Sequence, residues 1–243
     1  MEILGVDGCL TGWVGAIFSS TLFYGFKIVT NLEDLFSPNS YTTVWIDMPI
    51  GLPSKNESRR QFDVMARNHL GKRASTIFSP PCRQAIYSDN YVVANFLNRD
   101  MLSYGISKQS WNISSKIRAL DDFLRNSEIL QGIIHESHPE LCFSILTGKV
   151  IMENKKTPEG FGLRMEVLEH FFKGISNKIY KAINDCDKSK ISKDDFVDAA
   201  CLGISAWLAE SKTSEIWPEK IRYDEENLPM AIYLPPNFTF PIS

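Results

Sequence analysis

Four acidic residues stand at the end of, or inside, apolar segments of the chain. A carboxylate in apolar surroundings loses its hydration, and it is stabilised there only by a cation, by hydrogen-bond donors or by keeping its proton. Because four such residues are spread over the sequence, we expect the fold to gather them around a positive charge. They are Asp7 after residues 3–6, Asp47 after residues 44–46, Glu136 after residues 133–135, and Asp198 within residues 196–209.

A further acidic pair precedes Asp198 at the start of the same predicted helix. The tetrapeptide from Ser192 to Asp195 fits the Ser-x-x-acid pattern of a capping box, and acidic residues in a first turn are favoured by the helix dipole. Asp195 lies three positions before Asp198, so both share one helix face. Asp198 is the only charged residue between positions 196 and 209, which predicts a helix packed against a sheet with that face towards the strand ends.

Carboxylates in this arrangement suit Mg²⁺ or Mn²⁺ better than zinc, because no Cys or His spacing supplies softer ligands. Two such ions about 4 Å apart can activate a water and stabilise the leaving oxygen of a phosphodiester. The sequence therefore predicts a divalent-metal-dependent nuclease. Asp7, Asp47, Asp195 and Asp198 are the expected metal ligands, and Glu136 is expected in or beside the same catalytic site.

Each acid also has a purely structural interpretation. Asp7 precedes Gly8 and fits an ordinary turn, and Asp47 could cap the loop that follows it. Asp195 could be a helix cap and nothing more. Glu136 could pair with a nearby Lys or Arg, whereas His135 and His138 are discounted as joint metal ligands because a strand sends them to opposite faces.

The elements that must position these acids predict an α/β fold with a mixed five-stranded sheet flanked by helices. Residues 3–6, 13–18 and 22–29 are expected to form an antiparallel meander. After a short helix near Asn31, residues 42–47 form a fourth strand parallel to the first, which places Asp7 and Asp47 at one sheet edge. Residues 129–136 form the fifth strand, residues 194–209 the late helix, and residues 230–234 a further edge strand.

We expect one domain over residues 1–243, with residues 54–126 as a mostly polar helical insertion. This segment has twelve Lys and Arg residues and six Asp and Glu residues, so it carries +6 while the remainder carries −9. A basic segment beside an acidic remainder suits a phosphate-bearing substrate over a metal site, and solvated helix faces explain the charge equally well.

The five cysteines form no C-x-x-C pair, which favours reduced thiols in the cytoplasm. The sequence opens without a signal-peptide pattern, and its longest apolar stretch is too short to span a bilayer. No membrane association is expected.

Several motifs together resemble the predicted-nuclease family labelled domain of unknown function 429, over nearly the whole chain. That family is similar to the ribonuclease H-like superfamily, near the Holliday-junction resolvases. The motifs are Gly5-Val6-Asp7-Gly8-Cys9 with Gly12-Trp13, Ile46-Asp47-Met48-Pro49-Ile50-Gly51-Leu52, Ser107-Lys108-Gln109, Glu136-Ser137-His138-Pro139-Glu140 and Asp194-Asp195-Phe196-Val197-Asp198-Ala199.

The resemblance implies that Asp7 matches the first-strand acid of the superfamily, Asp47 its fourth-strand acid, and Asp195 with Asp198 its final-helix acids. Glu136 has no standard counterpart among resolvase-like relatives.

The resemblance also implies roles for basic and polar residues of the insertion, of which Arg73, Arg83 and Lys108 are predicted to bind the substrate phosphate. The remaining matched residues are Arg59, Asp63, Arg67 and Gln109. Alternatively, Asp63 and Arg67 simply pair on one helix.

The predicted substrate is a nucleic acid or a nucleotide, and two other classes of protein remain open. An actin-like-related phosphotransferase or nucleotide-binding protein would share the ribonuclease H-like core, although such proteins usually carry two copies of it. A non-catalytic binding protein could retain the fold without the chemistry.

Overall fold

The computed structural model describes residues 2–36 and 41–237. Its first three strands are β1 (Glu2–Cys9), β2 (Gly12–Ser19) and β3 (Phe23–Val29), which pair antiparallel as the predicted meander. The helix expected after Asn31 is a short 3₁₀ helix over Leu32–Leu35. Residues 3–7 of β1 are all buried, which is typical of a central strand covered on both faces.

Strand β4 (Tyr41–Ile46) lies parallel to β1, as predicted, and β5 (Ile134–Glu136) lies parallel to β4. The five strands have the order β3-β2-β1-β4-β5. The α/β class and the mixed five-stranded sheet are therefore confirmed.

The fifth strand is shorter than predicted, because residues 128–133 form a helix before the strand begins. The Gln131 amide donates to the Ser127 carbonyl, and the Gln131 side chain donates to the Leu124 carbonyl. Only three residues are left to pair with β4. The prediction was wrong here because a short apolar run does not distinguish a strand from a helix.

Ten α-helices cover much of the remaining described chain. In chain order they are α1 (Gln61–Leu70), α2 (Arg83–Ile86), α3 (Tyr91–Leu102), α4 (Lys108–Asn112), α5 (Ser114–Arg125), α6 (Glu128–Ile133), α7 (Pro139–Thr147), α8 (Pro158–Phe171), α9 (Ile175–Asp185) and α10 (Lys193–Ser211). None of the helices in the described ranges is long and apolar enough to cross a membrane.

The chain forms two compact units. The sheet unit comprises Met1–Asp47, Ile133–Glu215 and Tyr233–Ser243, and the helical unit comprises Met48–Gly132 and Ile216–Ile232. The helical unit contains the predicted insertion 54–126 and extends past it at both ends. Whether the whole chain folds as one domain stays a prediction.

A two-stranded sheet contains β6 (Glu215–Tyr223) and β7 (Pro229–Leu234). The strand expected at residues 230–234 is thus present, but it pairs with β6 instead of extending the five-stranded sheet. Residues 216–232 of this hairpin belong to the helical unit.

Helix α10 packs against β1, β2 and β4 in the sheet unit, as its apolar composition predicts. Thirteen of its nineteen residues are buried, including Asp194 and Asp198. Its predicted start is also confirmed, since Ser192 is the N-cap and Asp195 completes a capping box.

Candidate functional site

Asp7 and Asp47 lie at the same end of the sheet, where the parallel strands β1 and β4 have their carboxyl ends. Val6 is in register with Ile46, and the Asp47 amide donates to the Val6 carbonyl at 3.0 Å. Asp7 is inside β1, opposite Val14, so the turn interpretation of this residue was wrong. Its Oδ1 accepts a hydrogen bond of 2.7 Å from the next backbone amide. The parallel register brings the two carboxyl groups to neighbouring strand ends.

Two glycines allow α10 to approach this edge closely. A Cβ on Gly5 of β1 would lie 2.2 Å from the Ala199 carbonyl oxygen, and a Cβ on Gly203 would lie 2.3 Å from the Phe18 ring. Real Cβ atoms do not come so near to backbone, so position 5 requires glycine, whereas a side chain at position 203 would require the Phe18 ring to move. The backbone of α10 therefore lies directly on β1, one residue away from Asp198.

Asp198 is 1% exposed and has two differently placed carboxyl oxygens. Its Oδ2 accepts a hydrogen bond from the ammonium of Lys155. Its Oδ1 is buried and accepts no hydrogen bond from the described residues. A buried oxygen left in this way is costly, which makes Oδ1 a candidate position for a further cation or donor.

Lys155 is the functional residue that sequence reasoning missed. Its Nζ contacts Asp198 and lies 3.5 Å from Asp194 Oδ2. Lys155 lies in the connection between α7 and α8, next to a second lysine, and no helical or strand spacing relates it to the acids. Only the folded chain places this positive charge at the carboxylates.

A buried ion pair fixes the segment that carries Lys155. Arg164 of α8 is fully buried and binds both carboxyl oxygens of Glu140 at 2.8 and 2.7 Å. The same guanidinium donates to the Glu153 carbonyl at 3.1 Å and to the Gly160 carbonyl at 2.7 Å. Arg164 thus ties α7 and α8 to the backbone two residues before Lys155. Glu140 belongs to a motif noted in the sequence, but this structural role was not predicted.

Burial and neighbouring charges raise the pKa of the carboxyl groups at this site. Burial and the charges of Asp198 and Asp47 raise the pKa of Asp7 well above its usual value. Burial also raises the pKa of Asp47, against the opposing charges of His138 and Lys155. Burial raises the pKa of Asp198 to about 6 even though Lys155 lowers it. These shifts mean that the three acids lie close enough to interact through a weakly screened interior.

The cluster also perturbs the lysine at its centre. Burial alone would lower the pKa of Lys155, but the charges of Asp198, Asp7 and Asp194 raise it above its usual value. The carboxylates of the cluster therefore favour the charged form of Lys155.

Asp195 has two roles in the structure. Its Oδ2 accepts a hydrogen bond of 2.8 Å from the Ser192 amide, which is the predicted cap. Burial and the charges of Asp194 and Asp198 raise its pKa to about 6, and its charge in turn raises the pKa of Asp7. The predicted cap is confirmed, and a role of Asp195 as a metal ligand stays a prediction.

Glu136 ends β5 and is in register with Ile46 of β4. Its side chain is buried. Glu140, four residues further on, raises the pKa of Asp47 and of Asp198. A catalytic role for Glu136 stays a prediction.

The oxygen donors of the site match in part what a divalent cation requires. Carboxylate oxygens are the ligands that Mg²⁺ and Mn²⁺ prefer, and Asp198 Oδ1 is buried without a hydrogen bond from any described residue. However, no group of three or more His, Cys, Asp or Glu side chains within residues 2–36 and 41–237 is arranged to hold a metal ion. The donors have suitable chemistry, and Lys155 occupies one of their oxygens.

The three predicted phosphate-binding residues lie in the helical unit. Arg73 is partly buried in a 3₁₀ helix over Gly71–Thr76, and Lys108 is exposed at the first position of α4. Arg83 donates to Asp121 and Asp224, at 2.8 and 2.6 Å for the closest contacts. Two carboxylates thus compensate the charge of Arg83. Phosphate binding by these three residues stays a prediction.

The alternative pairing of Asp63 with Arg67 is wrong. Asp63 instead pairs with the buried Arg60, at 2.8 Å for the closest contact, while Arg67 donates to the Ile77 carbonyl. The i, i+4 spacing on α1 permits the predicted pair, but the better buried arginine forms the bond.

The sheet unit is thus an α/β unit that carries a cluster of aspartates and one lysine at the ends of β1 and β4. A family described as "Protein of unknown function (DUF429)" matches residues 5–222, and the chain belongs to this family. No curated protein and no solved structure that was compared matches the chain.

Proposed function

We propose that the protein is a divalent-metal-dependent nuclease whose active site is the carboxylate cluster of the sheet unit. The observation that carries the proposal is that Asp7, Asp47 and Asp198 come together from β1, the end of β4 and α10, where burial and the charges of Asp198 and Asp47 raise the pKa of Asp7. Acids that are kept together at such an electrostatic cost favour a functional site over a purely structural one.

The mixed sheet supports a ribonuclease H-like assignment. That superfamily has a first-strand acid, a fourth-strand acid and final-helix acids, and here Asp7 lies on β1, Asp47 follows β4 and Asp198 lies on α10. The fold by itself does not define an activity, so the site carries the functional proposal.

Asp7, Asp47, Asp195 and Asp198 would hold Mg²⁺ or Mn²⁺. When bound, such ions lower the pKa of a water and stabilise the charge on the phosphate. The residues themselves supply the oxygen ligands, and α10 holds Asp195 and Asp198 on a buried, rigid helix. Burial of the acids keeps bulk water from screening the charges at the reacting phosphate.

Lys155 would have a second role in the same site. Its ammonium contacts Asp198 and lies 3.5 Å from Asp194, and so compensates part of their charge. If the acids held cations, the ammonium would be available as a point charge for a phosphate oxygen of the substrate.

The test is cleavage of single-stranded, duplex and branched DNA and RNA in the presence of Mg²⁺ or Mn²⁺. Wild type is compared with Asp7→Asn and Asp198→Asn, and Asp185→Asn on α9 serves as an exposed control. We expect both cluster variants to lose at least about a hundredfold in rate, which corresponds to roughly 3 kcal/mol, and the control to keep it. Equal rates in wild type and Asp7→Asn would refute the proposal.

One observation favours a second candidate, a non-catalytic binding protein. Lys155 already compensates the carboxylates, and the described acids do not form a three-ligand group. Thermal unfolding with and without Mn²⁺ separates the two candidates. A bound ion stabilises the folded state, so a rise in Tm that Asp7→Asn abolishes supports the metal enzyme, whereas an unchanged Tm supports the binding protein.

A further inference from the structure

The helical unit contains a cavity that is lined by none of the three residues predicted to bind the substrate phosphate. Its volume is about 430 Å³, which is within the range of small-molecule sites in proteins. It is lined by Arg59 just before α1, Arg67 in the last turn of α1 and Asn98 of α3, and by residues from the ranges 75–81 and 104–110. The lining includes two arginines, two aromatic residues and two polar residues, which are Arg59, Arg67, Phe78, Tyr104, Ser107 and Gln109.

The cavity has an uncompensated positive charge. Arg59 and Arg67 both line it, and no Asp or Glu is among the described residues that do so. Arg67 donates to the Ile77 carbonyl at 2.8 Å and to the Ser79 hydroxyl at 3.2 Å, both of which are neutral. The nearby Asp63 is bound by Arg60 instead. Two guanidinium groups without a carboxylate favour an anion, and their planar forks match phosphate oxygens.

The contrast with Arg83 shows that arginines of the helical unit do not in general lack a carboxylate partner. Arg83 contacts Asp121 at 2.8 Å and Asp224 at 2.6 Å, so its charge is compensated inside the protein. Arg59 instead lies over the ring of Tyr104, 5.9 Å from its centroid, a contact that leaves its hydrogen-bond donors free for a ligand.

Aromatic rings form another part of the wall, and hydrogen bonds hold it in place. The Tyr104 hydroxyl donates to the Ser58 carbonyl at 2.9 Å. Asn98, which is fully buried, donates to the Tyr104 carbonyl and accepts from the Cys82 amide. Phe78 lines the same cavity and is partly buried. Rings held beside free cations provide a surface on which a nucleobase can stack.

Polar side chains at the start of α4 complete the lining. The Ser107 hydroxyl caps that helix by accepting from the Ser110 amide, and Gln109 is exposed at the cavity. A side-chain amide offers both a donor and an acceptor, as the edge of a base requires.

We propose that this cavity binds a nucleotide, with Arg59 and Arg67 at the phosphate and with Phe78 and Tyr104 against the base. The ligand is either a free nucleotide or one nucleotide of a single strand, since both present the same phosphate and base. The site does not depend on hydrolysis at the carboxylate cluster, and it would exist in a protein that cleaves nothing.

The test is calorimetric titration of the whole chain in EDTA, so that no metal chemistry contributes. The probes are adenosine 5′-monophosphate, adenosine, and an oligothymidylate of about ten nucleotides. Arg59→Gln removes one cavity charge. Arg118→Gln is the matched control, because Arg118 is also exposed and lies 5.8 Å from the centroid of the Tyr87 ring, but it does not line the cavity.

We expect Arg59→Gln to weaken binding of the monophosphate or the oligonucleotide about tenfold, the loss of one charge-assisted contact. Phe78→Leu should weaken it on the order of tenfold through lost stacking, and Arg118→Gln should bind as wild type does. Adenosine should bind more weakly than its monophosphate. For the oligonucleotide, Arg59→Gln should also reduce the salt dependence by about one phosphate contact.

The two ligand sources give different results. A free nucleotide site binds the monophosphate at least as tightly as the oligonucleotide, and a strand site prefers the oligonucleotide. The proposal is overturned if wild type binds neither probe, or if Arg59→Gln and Arg118→Gln bind equally. Because the titration is metal-free, absence of nucleotide binding would not count against the nuclease proposal. Conversely, nucleotide binding by a protein without nuclease activity would support this site alone.

Discussion

Replacing Lys155 by methionine removes the cation from the carboxylate cluster while keeping an unbranched side chain of similar length. Lys155 contacts Asp198, whose side chain is nearly fully buried, and lies 3.5 Å from Asp194. Without the ammonium, the folded ion-free protein must either keep uncompensated charges or take up protons. The substitution therefore measures how much of the stability depends on this one positive charge.

The expected cost follows from the burial of the pair. Removing one partner of a buried ion pair costs about 3–5 kcal/mol. Lys155 is 32% exposed, so solvent screening reduces that value. We expect the free energy of unfolding to fall by about 2 kcal/mol at pH 8, which corresponds to a Tm roughly 4–8 °C lower for a chain of this size.

The cost should depend on pH in a defined direction. The folded-state pKa of Asp198 is about 6, above its ordinary value of 3.8, so the stability associated with this group is present below pH 4 and lost as pH rises through 6. At pH 5 the carboxyl group of Asp198 is mostly protonated, so the ammonium of Lys155 stabilises it little. The destabilisation by Lys155→Met should therefore be largest above pH 7 and smaller at pH 5.

The assay is urea unfolding at pH 8 and at pH 5 in EDTA, with Lys156→Met as the control. Lys156 is the adjacent lysine and is exposed. Mn²⁺ at pH 8 should raise the Tm of Lys155→Met more than that of wild type, because the ion no longer competes with the ammonium. The reasoning is refuted if the two methionine variants unfold at the same urea concentration at pH 8.

Three further substitutions test the framework around the site. Glu140→Gln should lower the free energy of unfolding by about 3–5 kcal/mol, because it leaves the buried Arg164 without its carboxylate. Gly5→Ala should lower Tm strongly, since its methyl would lie 2.2 Å from the backbone of α10, whereas Gly132→Ala meets open space. Burial lowers the pKa of His135 to about 4, so the wild-type free energy of unfolding should fall by up to about 3 kcal/mol between pH 6.5 and pH 4. His135→Gln should not show this fall.

For each of these three predictions, one result would contradict the physical reason given. If Glu140→Gln combined with Arg164→Met is no more stable than Glu140→Gln alone, the cost does not come from an uncompensated arginine. A Gly5→Ala protein as stable as Gly132→Ala would mean that α10 does not lie on β1 as described. Parallel pH–stability curves for wild type and His135→Gln would exclude the histidine as the titrating group.

Much of the sheet unit could be predicted from local patterns. Apolar runs separated by glycine and serine turns indicate the meander, and the helical crossover rule makes β4 parallel to β1. That rule alone brings Asp7 and Asp47 to one edge. The error at residues 129–133 arose because a short run with few apolar residues fits a helix and a strand equally well.

Charge partners were predicted less well than elements. The spacing of Asp63 and Arg67 suggested a pair, yet Asp63 bonds to Arg60. Arg83 forms an ion pair with Asp224, 141 residues away, and no local spacing predicts that contact. Ion pairs depend on which side chains become buried together, and burial is a property of the packed chain.

The sequence by itself determined where the acids lie on their elements, because strand and helix periodicity follow from local residue types. It also determined the cap at Ser192, since that bond closes within one turn. Only the tertiary structure decided that Lys155 faces Asp198, because the lysine is placed by Arg164 and Glu140 through contacts between distant segments. The sign and strength of the field at the carboxylates depend on this long-range contact.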